Sequence, residues 1–225
     1  MSNKIFFGII AVVIVVVLGG AIFLSKDGDK TDSKPKDVAA VTEDDYTEGA
    51  KDPKVTLIEY GDFQCNFCAA LHPTLEEVLP EYEDDVQFVF RHFPITSSHP
   101  NALVAHKAAE AAGRQDKFWE MHDKLFESLQ EWGSDNNPIE TFNGYAKELD
   151  LDVEQFKSDF DDASLTDRIN TVKEDGKSAG VKSTPTMFLN GKKLDTIRSA
   201  DELRQQLDEA LEQAAGNTKP NTKSE

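Results

Sequence analysis

Cys65 and Cys68 are the two cysteines of the chain, separated by Asn66 and Phe67 within "LIEYGDFQCNFCAALHP" (57–73), where a strand-like run gives way to a helix-like one. Two thiols at this spacing serve as a redox dithiol, an inert disulfide or half of a zinc site. A disulfide across two residues closes so small a loop that it restrains little of the unfolded chain, so a staple would add little stability. Zinc needs two more ligands, and His72, His92, His99, His106 and His122 include no H-x3-5-H pair to accompany a C-x2-C. Sulfur redox chemistry is therefore the expectation, with no metal and no cofactor. The acids Asp159, Asp161 and Asp162 read as a solvated helix end.

The chemistry depends on where the thiols sit. Cys65 falls at or near a helix N-terminus, where backbone N–H groups carry partial positive charge that stabilises a thiolate. That makes Cys65 the candidate nucleophile. Cys68, one turn on along the same face, is the natural resolving thiol, because its attack on a mixed disulfide is intramolecular. Glu59 lies six residues before Cys65, in line with Val55 and Leu57 on one face of the first strand. A central strand would bury it; a water-exposed strand-end acid is the other reading. Farther along, "GVKSTPTMF" puts Thr184-Pro185 directly before a strand, a place for a tight turn with a cis X-Pro bond, an ordinary trans bond being the alternative. Phe63, Asn66 and Phe67 are candidate substrate contacts, although the two aromatics serve equally well as core. His72 and His92 read first as hydrogen-bonded structural histidines.

The elements that position these residues follow from pattern. "VTLIEY" (55–60) and "VQFVFRHF" (86–93) are apolar enough for strands of a sheet covered on both faces, and the helix between them completes a right-handed βαβ unit. Helices follow: an Ala-rich one ending at Gly113, one capped by Asp116, one opened by Asn137-Pro138 and, after a short turn begun at Asp152 with Phe156 and Phe160, one over 163–179 stopped by Gly180. Then "TMFLNGKKLDTI" (186–197) predicts a hairpin turning at Asn190-Gly191, and Ser199 with Glu202 a capping box for a closing helix. The expected fold class is α/β, a small mixed sheet flanked by helices with a helical insertion over about 95–180.

Compartment is set by the other end of the chain. After a short flank (1–4), residues 5–24, "IFFGIIAVVIVVVLGGAIFL", are long and apolar enough to cross a bilayer. The competing reading is a cleaved signal peptide. Either one exports the rest of the chain: a polar spacer (25–51), one domain (52–213) and a polar tail (214–225). Outside the cytosol a cysteine pair can be held oxidised. The net charge of −18, with no basic cluster, argues against a nucleic-acid partner.

The acid six residues before the first cysteine, the C-x-x-C at a helix start, Pro73 five residues after the second, and Thr184-Pro185 before a strand resemble the thioredoxin fold. The insertion, with "FRHFP", "HPNALVAHKAAEAAG" and "DKFWEMHDKLF", resembles the DsbA-like family of extracytoplasmic thiol-disulfide oxidoreductases of the membrane-anchored type. The resemblance covers most of residues 52–212. It implies an exposed nucleophile in Cys65, a buried partner in Cys68, a proton-transfer acid in Glu59, and a cis-proline loop at Thr184-Pro185 that faces the pair and binds substrate peptide. It also implies unfolded exported proteins as substrates, a quinone-linked integral membrane protein as reoxidising partner, and single-pass attachment to the cell membrane. One departure stands out: many members carry Pro after the first cysteine, where this chain has Asn66. A disulfide reductase or isomerase of the same fold is the nearest alternative. A membrane-tethered binding module or chaperone with a passive disulfide is an alternative of another class.

Overall fold

The structure is a computed structural model that describes residues 37–217. Tyr46–Gly49 (β1), Val55–Gly61 (β2), Val86–His92 (β3), Thr186–Leu189 (β4) and Lys192–Lys193 (β5) form one mixed sheet in the order β1-β3-β2-β4-β5. β2 and β3 run parallel, with Val55 opposite Val86 and Gly61 opposite His92. Both strands are buried along nearly their whole length, as their continuous apolar character requires. The crossover between them is α1 (Asn66–Val78) followed by a 3-10 turn at Leu79–Tyr82. β4 returns antiparallel on the other side of β2 and sets Met187 opposite Glu59. Glu59 therefore lies on an inner strand. The β4–β5 hairpin turns at Asn190 and Gly191, with φ of +48° and +79°, the left-handed pair that an Asn-Gly turn supplies at least cost.

Between β3 and β4 the chain forms α2 (Ala102–Gly113), α3 (Phe118–Glu127), α4 (Leu129–Trp132), α5 (Ile139–Glu148), α6 (Val153–Asp161) and α7 (Ala163–Ser178); α8 (Ala200–Asn217) closes it. One face of the sheet, with Val55, Leu57, Phe88 and Phe90, packs with apolar residues of α1, the insertion and α8 into the main core. The other face, with Ile58, Tyr60, Val89 and Phe188, is covered by Phe93, Ala179 and Val181 around the end of α7.

Several boundaries differ from the sequence reading. The domain begins before residue 52, because residues 46–49 of the expected spacer form β1, paired antiparallel to β3. Their four residues carry too little apolar content to announce a strand. Pairing with β3, the stack of Tyr46 on Phe118 and the bond from Trp119 Nε1 to Thr47 O hold them. The segment just ahead is fixed by Arg91, buried, whose guanidinium donates to both carboxylate oxygens of Asp45 at 2.8 Å and to the carbonyls of Ala39 and Ala40. At the other end α8 runs past 213 to Asn217. The apolar segment 5–24, the flank before it and the end of the tail lie outside the described residues; among those described, no helix is long and apolar enough to cross a membrane.

Asp116 does not cap α3. It takes a left-handed φ of 60°, and Lys117 occupies the cap position without a side-chain bond. Where a short turn is expected after Asp152 the chain forms the nine-residue helix α6, and Asp152 caps it, accepting from the N–H groups of Glu154 and Gln155. The capping box of α8 is half made: Ser199 Oγ accepts from Glu202 N, whereas the Glu202 carboxylate takes the N–H of Arg198 rather than that of Ser199. Asp159 and Asp162 are not a merely solvated helix end, since both bind Arg114, the residue that follows α2, at 2.9 Å and Asp162 also caps α7.

Candidate active site

Strand β2 ends at Gly61, and the chain must reverse into α1 within four residues. Asp62, fully buried, organises this loop: its Oδ1 accepts from Gln64 N at 2.9 Å, and its Oδ2 from Ile95 N at 2.7 Å, with His99 Nδ1 also at 2.7 Å. Gln64 in turn spans to the insertion, donating to Gly133 O and accepting from Asn101 N. These two residues were not singled out from the sequence. The local signal was present, because Asp two residues before a turn N–H is an Asx-turn pattern, but the partners at 95, 99, 101 and 133 are supplied only by the fold.

The loop delivers Cys65 to the N-cap of α1, with extended backbone (φ −81°, ψ 118°), so the free N–H groups of the first turn face its sulfur. Cys65 is covered, 4% exposed, against the expectation of an exposed nucleophile; Cys68 is 1% exposed. What covers Cys65 includes the loop before β4, where Thr184-Pro185 is cis and the Cys65 thiol donates to Thr184 O across 3.4 Å.

The two thiols differ in acidity. A hydrogen bond from the Cys68 thiol, aided by the Thr184 side chain and the backbone N–H groups of Cys68 and Phe67, outweighs burial and lowers Cys65 to about 5. Burial, the bond to Cys65 and the charges of Glu59 and Cys65 push Cys68 well above the ordinary thiol range. Glu59 is 1% exposed, which excludes the water-exposed reading. Burial raises its carboxyl to about 8, opposed by a hydrogen bond from Cys68 and reinforced by charge on Cys65; its Oε1 has no hydrogen-bond partner. At neutral pH the site thus pairs a thiolate with a protonated buried acid on either side of a protonated thiol.

Phe63 is a correction. It is fully buried, stacked 5.0 Å from Phe90 and packed on His106 and Phe126, because it points down from the loop into the core. Asn66 and Phe67 are exposed, Phe67 at 77%. Phe67, Leu71, Thr184, Pro185, Leu194 and Ile197 line part of one groove of about 550 Å³ beside the cysteines. His92 joins an interior network, with His106 at 2.6 Å and Glu110 at 2.8 Å, and Arg168 and Tyr46 also bind Glu110. Among the described residues, the side chains close enough to share a metal ion lie on α1 and α3 and do not include the cysteines.

A family model described as Thioredoxin matches residues 41–209. The chain belongs to the thioredoxin family. The match starts before β1, in agreement with the earlier boundary seen in the fold. Among solved structures, this thioredoxin-family chain is similar to the T172V variant of alpha-DsbA1 from Wolbachia pipientis (TM-score 0.71, 18% identity, covering 81% of this chain and 98% of that one). It is similar also to oxidised BdbD from Bacillus subtilis (TM-score 0.64, 21% identity, 74% and 92%). The fold is therefore the DsbA-like form of the thioredoxin family, with its helical insertion. Among curated relatives, a protein named Na(+)/H(+) antiporter NhaA 1 from Salinispora arenicola is 39% identical over 149 residues, which are 66% of this chain and 22% of that protein. The chain thus spans under a quarter of the length of that relative.

Proposed function

We propose that this thioredoxin-family chain is a thiol-disulfide oxidoreductase that donates its Cys65–Cys68 disulfide to exported, unfolded proteins. The observation that carries the proposal is the split in thiol acidity, about 5 at Cys65 against a strongly raised Cys68 beside Glu59. A substrate thiolate attacks Cys65 Sγ, the Cys65–Cys68 bond breaks, and Cys68 leaves, taking up the proton that Glu59 holds at neutral pH. A second substrate thiolate then attacks the substrate sulfur of the mixed disulfide and expels Cys65 as a stabilised thiolate. The substrate has lost two electrons to the enzyme disulfide, which is left as the dithiol. Asn66 and Phe67 on the rim and the groove beside Thr184-Pro185 are the surface on which the substrate peptide lies.

The same split supports the donor direction. At neutral pH, a thiol titrating near 5 instead of the ordinary 9.0 favours the dithiol by on the order of 3 kcal/mol, or about 60 mV, before solvent screening reduces it. A stabilised dithiol makes the disulfide a stronger oxidant, which supports donation over reduction. Reoxidation is assigned to a quinone-linked integral membrane protein, and attachment through residues 5–24 would place the domain outside the cytosol at high local concentration near it.

The deciding measurement is the equilibrium of the Cys65–Cys68 pair against glutathione. A potential well above the roughly −270 mV of thioredoxin supports the donor assignment, and one at or below it makes the chain a reductase. Loss of exchange in Cys65→Ser separates both from a passive disulfide, which would leave function unchanged when both cysteines are replaced.

A further inference from the structure

Away from the cysteines, α1 and α3 border a cavity of about 290 Å³ lined in part by Glu48, His72, Glu76, Trp119, His122 and Asp123. A ring nitrogen of His72, one of His122 and a carboxylate oxygen of Asp123 lie within 4.8 Å of one another. His72 makes a second such trio with Glu76 and Glu127. The nearest approaches converge on a single oxygen: Asp123 Oδ1 is 2.8 Å from His122 Nδ1 and 3.9 Å from His72 Nε2.

Two features set this cluster apart from an ordinary acidic surface. Both histidines are buried, at 5% and 3% exposure, yet Nε2 of each has no hydrogen-bond partner. A buried imidazole nitrogen is normally satisfied, and the unsatisfied one of His72 is the atom directed at Asp123. Carboxylates also gather here without compensation, since among the described residues no lysine or arginine bridges Glu48, Glu76, Asp123 or Glu127. The spacing suits chelation: His72 and Glu76 share a face of α1 one turn apart, and Asp123 and Glu127 do so on α3.

We propose that His72, His122 and Asp123 form a binding site for a divalent cation of the borderline class typified by Zn²⁺, with Glu76 or Glu127 completing the shell. Two imidazoles and a carboxylate are the donor set of such ions, whereas Ca²⁺ and Mg²⁺ take all-oxygen shells. Zinc holds such donors at roughly 2.0–2.2 Å, so binding would draw the three inward by side-chain rotation. The ligands come from both parts of the fold, α1 of the sheet domain and α3 of the insertion. A bound ion would therefore fasten the insertion to the helix that carries both cysteines, one turn beyond Cys68. Sequence spacing hides the site, because His72 and His122 are fifty residues apart.

The test uses the untagged full chain with Cys65–Cys68 oxidised, so that thiolates cannot bind the metal. Titration with ZnCl₂ in a calorimeter is expected to show one Zn²⁺ per chain. Asp123→Asn, at a half-exposed position, and His72→Gln should each weaken binding by roughly 10- to 100-fold while circular dichroism stays unchanged. Zn²⁺ should raise the melting temperature of the parent chain and not that of Asp123→Asn, and Co²⁺ should quench emission that is lost in Trp119→Phe. No binding by the folded chain at micromolar Zn²⁺, equal binding by both variants, or Ca²⁺ bound in preference to Zn²⁺ would overturn the proposal.

Discussion

The thiol of Cys65 donates to the carbonyl oxygen of Thr184 across 3.4 Å, joining the start of α1 to the loop before β4, 119 residues away. The Thr184 hydroxyl, buried and without a hydrogen-bond partner in this state, is free to donate once the proton leaves the sulfur. Thr184→Val should therefore raise the Cys65 pKa and make the disulfide a weaker oxidant, while thermal stability stays unchanged or rises because an unpaired hydroxyl is removed. Thiolate absorbance against pH reads the first effect and glutathione equilibrium the second. A variant with the parent titration would exclude a role for the hydroxyl.

Alkylation of reduced chain should report Cys65 alone. Its rate is expected to be flat from neutral pH down to about 6 and to fall about tenfold per unit below 5, because only the thiolate reacts. Mass spectrometry should find the label on Cys65, with Cys68 unmodified across that range.

Glu59 works against the folded dithiol. Its carboxyl rises from 4.5 to about 8 on folding, so between those values the folded chain holds a proton that the unfolded chain has lost. Taken alone, this makes stability decline as pH rises through that window, by on the order of 5 kcal/mol in full. Cys65 contributes in the opposite direction: its thiol falls from 9.0 to about 5 on folding and so adds stability as pH rises between those values. Glu59→Gln should remove the declining part, leaving the stability of the reduced chain to rise with pH between about 5 and 9, yet slow disulfide exchange at neutral pH if the acid supplies the proton to Cys68. Denaturant melts at several pH values together with exchange rates separate the two effects.

Phe67 should matter for substrate and not for the fold. Phe67→Ser is expected to shift stability by less than about 0.5 kcal/mol, as an exposed position does. It should lower kcat/KM for an unfolded protein by roughly fivefold, the equivalent of about 1 kcal/mol of apolar contact. A small dithiol, too short to reach the rim, should react at the parent rate.

Arg91 and Asp45 form a buried bidentate pair that fixes the segment ahead of β1. Arg91→Leu leaves the Asp45 carboxylate buried without its partner and should cost about 3–5 kcal/mol. The Asp45 carboxyl is depressed on folding by its bonds to Arg91 and Thr42, which outweigh burial, so its contribution is present above pH 3.8 and lost as pH falls through the folded value. Acid melts of the parent chain should show that loss, and those of Arg91→Leu should lack it.

Much of this was legible in the sequence because the signals were local. The βαβ unit rests on two apolar runs, the hairpin on Asn190-Gly191, and the nucleophile on its place at a helix start. Glu59 could be placed by the two-residue period of its strand. The failures came where long-range contacts overrule composition. A polar tetrad becomes β1 because it pairs with β3 and is met by Phe118 and Trp119 of the insertion, and Phe63, as apolar as Phe67, is core because Asp62 turns the loop inward. Cys65 is covered rather than open because a loop more than a hundred residues away closes over it.

The clasp around Arg91 fixes where this domain can be cut. A transplant starting at residue 52, where composition changes, would discard Asp45 and the carbonyls of Ala39 and Ala40, strip the outer strand from β3, and leave a buried guanidinium with the Tyr60 hydroxyl as its hydrogen-bond partner. The portable unit begins upstream of Ala39, and fusions built to attach this redox centre to another protein should place their joint there.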